Sequence, residues 1–178
     1  MLVLKYALLP YTISMEIVLI AHNLRSAHNV GSLLRTADCL GVKKLYLTGY
    51  TPYPQTKHDA RLPHLSLKIH NQIQKTALGA ERTVSWTHEE DIVKTIHILK
   101  ESGFCVYALE QTTTATALPE FNPPEKIALI VGREVEGLEP EVVTLCKGAV
   151  EIPMKGKKES LNVVQAAAIA LYHCSFRR

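Results

Sequence analysis

The stretch IALIVGREVEGL, residues 127–138, decides how the rest of the chain is read. Its first five residues, Ile127–Val131, are apolar without alternation, as in a strand buried on both faces of a parallel sheet. The strand stops at Gly132, and Arg133, Glu134, Glu136 and Gly137 follow within a tight turn. Two glycines let backbone approach a flat ligand closely, and a carboxylate there can fix a cationic or hydroxyl-bearing group. A charged surface turn has the same composition, so the surroundings must decide.

Working outward, four more β-rich runs appear: Ile17–Ala21, Lys44–Thr48, Phe104–Glu110 and Ala149–Ile152. Helical patterns separate them. Val30–Leu40 places Val30, Leu33, Leu34, Ala37 and Leu40 on one face, and Gly41 stops it. Thr87-His-Glu-Glu90 reads as a capping box opening a helix to about Lys100. Pro140 starts a short helix, and Leu161–Phe176 a long, Ala-rich one. Thr51–Pro63 and Leu118–Pro124 read as loops. Strands alternating with helices, without repeats, predict an α/β fold with a mostly parallel sheet and helices on both faces.

The chain has 178 residues, 47% hydrophobic and 21% charged, which suits one globular domain over residues 16–178. Residues 1–15 are set apart as an N-terminal extension. The apolar run MLVLKYALLPYTIS is a poor signal peptide, because Lys5 and Pro10 interrupt it and no A-x-A site follows. Met15 stands just before the first strand and is an alternative start. No apolar stretch is long enough for a membrane span, so no membrane partner is expected. Four scattered cysteines without a C-x-x-C pair suit reduced thiols in the cytoplasm. The histidines at 58, 64 and 70 have spacings that suit no metal site, and no metal is expected.

Ligands of such sheets bind beyond the carboxyl ends of the strands. Neither G-x-G-x-x-G nor a Walker loop occurs there. Instead, three polar, glycine-bearing runs follow strands: Asn23–Arg35, Gly132–Leu138 and Pro153–Asn162. In the first, Asn29 is placed to cap the helix and expose N–H groups to an anion such as an RNA phosphate, with Arg35 on the polar side. In the third, Ser160-Leu161-Asn162 opens the terminal helix, whose Ala166, Ala167, Ala168 and Ala170 permit close packing, as in a dimer. The formal charge is only +3, so any nucleic-acid role needs local clusters. One is Gln55–Lys75, a loop-rich patch with Lys57, Arg61 and Lys68. Lys155, Lys157 and Lys158 form another.

In this order, the three runs resemble the motifs of the SpoU (TrmH-like) RNA 2′-O-ribose methyltransferases of the SPOUT superfamily. NVGSLLRT resembles the first, with the family's Asn at Asn29 and its Arg at Arg35. IVGREVEGL resembles the second, with its Glu at Glu134, and IPM with SLNV the third, with Ser160 and Asn162. The resemblance spans about Glu16 to Tyr172 and implies a C-terminal deep trefoil knot. It also implies S-adenosylmethionine as cofactor, held around Leu109, Gly132, Ile152 and Leu161, and a homodimer through the C-terminal helix. The implied reaction is methylation of a ribose 2′-oxygen in RNA, of tRNA sooner than rRNA. Glu134 would orient Arg35, which anchors the phosphate and the developing alkoxide. Asn29, Ser160 and Asn162 would hold the ribose-phosphate. The alternative is a non-catalytic RNA-binding protein of the same fold.

Overall fold

A computed structural model describes residues 15–177. The N-terminal extension, apart from Met15, lies outside the described residues. The strands are β1 (Glu16–His22), β2 (Lys44–Thr48), β3 (Trp86–Glu89), β4 (Cys105–Leu109), β5 (Thr116–Ala117), β6 (Lys126–Val131) and β7 (Gly148–Glu151). The helices are α1 (Ala27–Cys39), α2 (Pro63–Ala77), α3 (Ala80–Thr83), α4 (Ile92–Glu101), α5 (Pro140–Thr144) and α6 (Val163–Phe176). One seven-stranded sheet runs in the order β3-β2-β1-β6-β4-β7-β5, and every neighbouring pair is parallel.

The side-chain alternation of the central strands divides the core in two. Ile17, Leu19 and Ala21 of β1, with Ile127, Leu129 and Val131 of β6, pack under α1, α2, α3 and α6. Val18 and Ile20, with Ala128 and Ile130, pack under α4 and α5. Both faces of the sheet are therefore covered by helices, which is why β6 carries an unbroken apolar run.

Two strands and one helix are not those the sequence suggests. Thr87-His-Glu-Glu90 does not open a helix: Trp86–Glu89 is the edge strand β3, and Asp91 caps α4 by accepting the Lys94 N–H at 3.1 Å. All four β3 residues are only half-buried, so no apolar run marks the strand. The two-residue β5 has no periodicity to show. Gln55–Lys75 is not mainly loop, because Pro63 starts the fifteen-residue α2. That helix buries only Ser66, Ile73 and Ala77, too thin a stripe to stand out.

Gly31 explains how α2 is held. A β-carbon at this position would run into the Ile73 carbonyl and the Thr76 side chain. α1 and α2 thus cross at backbone contact. The glycine of NVGS serves packing here.

A candidate cofactor cleft and a separate arginine

The carboxyl ends of β4, β6 and β7 open into a cleft of ≈ 300 Å³. Its floor is apolar, with Val131, Val150, Ile152 and Val163, and Leu109 and Leu161 also line it. One wall is the turn from Gly132 to Gly137. The turn closes on itself through Arg133 and Gly137, which exchange N–H···O bonds of 3.2 Å. Gly137 has φ +68°, which favours glycine, and a β-carbon on Gly132 would come within 2.8 Å of the Gly137 backbone. The wall is thin because both glycines are needed to fold it.

Carboxylates lock this turn to its neighbours. Glu110, at the end of β4, accepts the Leu138 N–H at 2.8 Å and the Gln111 N–H at 3.1 Å. Glu134 reaches the other way. It accepts the Arg25 and Ser26 N–H groups, both at 3.3 Å, and the Asn29 side-chain amide at 2.9 Å. Burial alone would push the Glu134 carboxyl up, but these hydrogen bonds hold it below its usual value.

The helix N-terminus is arranged differently from the sequence expectation. Ser26, not Asn29, is the N-cap, and its hydroxyl accepts the Asn29 N–H at 3.2 Å. α1 starts earlier than expected, and the anion at its head is Glu134 of the same chain. Glu134 therefore binds Asn29 and makes no hydrogen bond to Arg35 in the described structure.

Behind the turn, half-buried Glu139 joins a cluster of polar groups around the buried His22. The Asn23 side chain donates to Glu139 at 3.2 Å, and the Arg133 guanidinium lies 3.5 Å from it. His22 meets Thr48 Oγ1 at 2.9 Å and the Asn23 amide, also at 2.9 Å. Desolvation lowers the His22 pKa against the opposing pull of Glu139, so the ring is neutral at physiological pH. It ties the ends of β1 and β2 to the turn.

Several residues named from the motifs meet at the cleft. Leu109, Gly132, Ile152 and Leu161 all line it, with Glu134 and Ser160. Asn162 is the N-cap of α6, accepting the Val164 N–H at 2.9 Å. Met154 of the IPM run also lines it, and Glu110, Gln111 and Glu159 are further lining residues that motif reading passed over. For Glu110, its place at the carboxyl end of a central strand was the available signal.

Arg35 stands elsewhere. It is exposed near the end of α1, in a shallow groove with Thr36, Cys39, Leu40, Ala168 and Tyr172. None of these residues lines the cleft. The basic residues also divide. Lys57, Lys68, Lys155 and Lys157 are exposed. Arg61 is instead bound into its loop, donating to Asp59 at 2.5 Å and to the Tyr53 carbonyl at 3.0 Å, with its guanidinium 3.6 Å from the Tyr53 ring centre. It is a structural arginine of that loop rather than a free cation. Among the described residues, no three His, Cys, Asp or Glu side chains converge, and no helix is long and apolar enough to cross a membrane.

Residues 16–172 match the model of the SpoU rRNA methylase family. The chain belongs to that family. It is 28% identical over 163 residues to a tRNA (guanosine(18)-2′-O)-methyltransferase of Thermus thermophilus, covering 92% of this chain and 76% of the relative. Among solved structures, the A. aeolicus TrmH/SpoU tRNA modifying enzyme superposes with a TM-score of 0.75 at 25% identity, over 92% of this chain and 76% of that one. The SpoU methyltransferase AviRb from Streptomyces viridochromogenes, in complex with AdoMet, gives 0.74 at 21% identity, over 91% and 57%. This SpoU chain thus keeps the fold of its family along nearly its whole described length.

Proposed function

We propose that the protein methylates the 2′-hydroxyl of a ribose in RNA, using S-adenosylmethionine, with tRNA favoured over rRNA. The observation that carries this reading is the cleft, where the positions matching the second and third family motifs meet. The Thermus relative, named for 2′-O-methylation of a tRNA guanosine, supports the substrate class. All of Asn29, Arg35, Glu134, Ser160 and Asn162 are present, which favours catalysis over RNA binding alone.

The cleft fits the cofactor on its own features. Its volume is at the lower end of the range for small-molecule sites, and its floor is apolar. Two glycines bring backbone to the surface, and Glu110, Glu134 and Glu136 supply negative charge for a cationic ligand. Leu109, Gly132, Ile152 and Leu161 would hold it. When bound, S-adenosylmethionine supplies a methyl group activated by its sulfonium.

The chain's own residues then position the ribose and manage charge. Asn29, fixed by Glu134, and Ser160 at the cleft edge hold the ribose-phosphate, with Asn162 two residues beyond Ser160. Arg35 does not act as the base, because a guanidinium donates hydrogen bonds and accepts none. It anchors the phosphate and stabilises the alkoxide as the 2′-proton leaves to phosphate or water. Lys57, Lys68, Lys155 and Lys157 contribute sequence-independent phosphate contacts.

A second copy of the chain completes this arrangement. α6 is apolar nearly all round, and such helices are buried on more than one side. Its Ala167, Ala170 and Leu171 face the chain's own core, while Ile169, Tyr172 and Phe176 are 43%, 60% and 57% exposed. Arg35 borders that exposed surface through Ala168 and Tyr172. A homodimer through α6 would cover it and carry Arg35 toward the partner's cleft. The family's trefoil threading is supported by strand order. The chain crosses β7 and β4 between β5 and β6, then crosses β4 again to reach β7. We assign the reaction to the cytoplasm, which the thiols at 39, 105, 146 and 174, free of disulfides, support.

The test is methyl transfer from labelled S-adenosylmethionine to bulk tRNA and to rRNA, followed by nucleoside mass spectrometry. A 2′-O-methylated nucleoside is expected in tRNA. Methyl transfer to a base atom, or to no RNA, would defeat the reading.

A further inference from the structure

Most of the exposed large apolar side chains among the described residues belong to helices or their caps. Tyr50 and Val135 are different: they stand on the carboxyl rim of the sheet, 55% and 84% exposed. Val135 lines the cleft itself. Tyr50 lies just past β2, and the backbone beneath it is pinned on every side.

The Tyr50 N–H donates to Asn23 Oδ1 at 3.1 Å. Asn23 takes φ +55°, an uncommon conformation that aims its amide both at Tyr50 and at the Glu139 group. On one side, the Gly49 N–H bonds the Glu89 carbonyl at 3.0 Å. On the other, Thr51 is buried, and its hydroxyl lies within donating distance of the Thr48 and Ala21 carbonyls, which share its one hydrogen, and accepts the Leu24 N–H. A rigid backbone thus presents an uncovered ring.

Arg25 links this ring to the cleft. Its guanidinium donates to Glu136 at 2.9 Å, and Glu136 lines the cleft. It also lies beside the Tyr50 hydroxyl, and these two neighbours hold it more firmly protonated. Most of the Arg25 side chain is still exposed. Arg25 therefore stands between an exposed aromatic ring and Glu136, which lines the cleft together with Val135.

We infer that Tyr50 is a stacking platform for an unpaired nucleobase of the RNA, next to the nucleotide whose ribose enters the cleft, with Arg25 meeting that nucleotide's phosphate. This rests on the RNA-methylation reading and adds a substrate requirement: the target lies in a single-stranded or splayed segment. A 2′-hydroxyl within a regular duplex is flanked by stacked bases, whereas loops offer bases that aromatic side chains can take up. Stacking tolerates any base, so Tyr50 confers strandedness rather than sequence.

The experiment compares Tyr50→Ala, Tyr50→Leu, Tyr50→Phe and Tyr50→Trp, with bulk tRNA as methyl acceptor. A single-stranded oligoribonucleotide containing 2-aminopurine serves as binding probe. Tyr50→Ala and Tyr50→Leu should raise KM for tRNA by about 10- to 100-fold, the range for losing one stacked base. Their kcat, their affinity for S-adenosylmethionine and their mass by light scattering should stay near wild type. The phenylalanine and tryptophan variants should retain activity. Wild type should quench the probe's fluorescence, and Tyr50→Ala should not. Tyr50→Leu matching wild type, or Tyr50→Ala falling apart into monomers, would overturn the proposal. Should wild type methylate no RNA at all, the catalytic reading fails, and the quench still decides for or against the platform.

Discussion

The Gly132–Gly137 turn and the Arg35 end of α1 both carry family motif residues, yet they are held in opposite ways. The turn is fastened from two sides, by Glu110 to Leu138 and by Glu134 to Arg25, Ser26 and Asn29. Arg35 is exposed, and it borders a groove shared with α6. Fixed dipoles and tight turns suit a wall that must exist before its ligand arrives. A charge left loose on an apolar face suits a group that acquires its position on assembly. On the proposed reading, one chain supplies the cleft and a second copy gives Arg35 its place.

The hardest test of that contrast is Arg35→Ala. Single-turnover methyl transfer should fall by at least ~100-fold, the usual loss for one preorganised charge-stabilising group. Affinity for S-adenosylmethionine in titration calorimetry should not move. A matching fall in cofactor affinity would mean that the two regions are one.

Mixing sharpens the point. Glu134→Ala loosens the wall and Arg35→Ala removes the charge, so each homodimer should be nearly inactive. If the charge acts across the dimer, randomised mixed dimers should recover roughly a quarter of wild-type activity, one good site in half the dimers. No recovery after mixing would place Arg35 at its own chain's cleft.

A smaller effect is expected from Gly31→Ala. The added methyl meets backbone of α2, which has little room to yield, so a loss of about 1–3 kcal/mol in urea denaturation is expected. Activity per folded molecule should fall as well, because α1 carries both Asn29 and Arg35.

The mildest prediction concerns pH. The folded pKa of Glu134 lies below its unfolded value, so its contribution is fully present above the unfolded pKa. It is lost as pH falls through the lowered folded value. Glu134→Gln should cost about 1 kcal/mol at pH 7. The difference from wild type should shrink as the pH is lowered through that folded value. A gap that stayed constant throughout would show that the turn is held by something other than this carboxylate.

The sheet was legible wherever burial on both faces left an unbroken apolar run, as at Ile127–Val131 and Ile17–Ala21. It was illegible at its edges, since Trp86–Glu89 is half-buried and Thr116–Ala117 is too short to carry a period. The cleft residues Leu109, Gly132, Ile152 and Leu161 could be named from motifs matched to strand ends. What one-dimensional reading lacked was pairing. The cap expected at Asn29 is made by Ser26, and Asn29 instead meets Glu134 from a turn more than a hundred residues away in sequence. Arg61 looked like a free cation until Asp59 and Tyr53 folded around it.

The position of β6 governs when the cleft can exist. It pairs with β1 on one side, Glu16 opposite Lys126, and with β4 on the other, Cys105 opposite Ile127. During synthesis, at about 5–20 residues per second, β1 waits on the order of 5 to 20 s for that neighbour. Until then one hydrogen-bonding edge of β1 is open, in the middle of what will become the sheet. β7 and α6, which supply Val150, Ile152, Leu161 and Val163, emerge later still. The nascent chain can therefore hold β1, β2 and α1 long before it can hold a cofactor, and a ribosome stalled ahead of residue 150 carries a half-sheet with no cleft to fill.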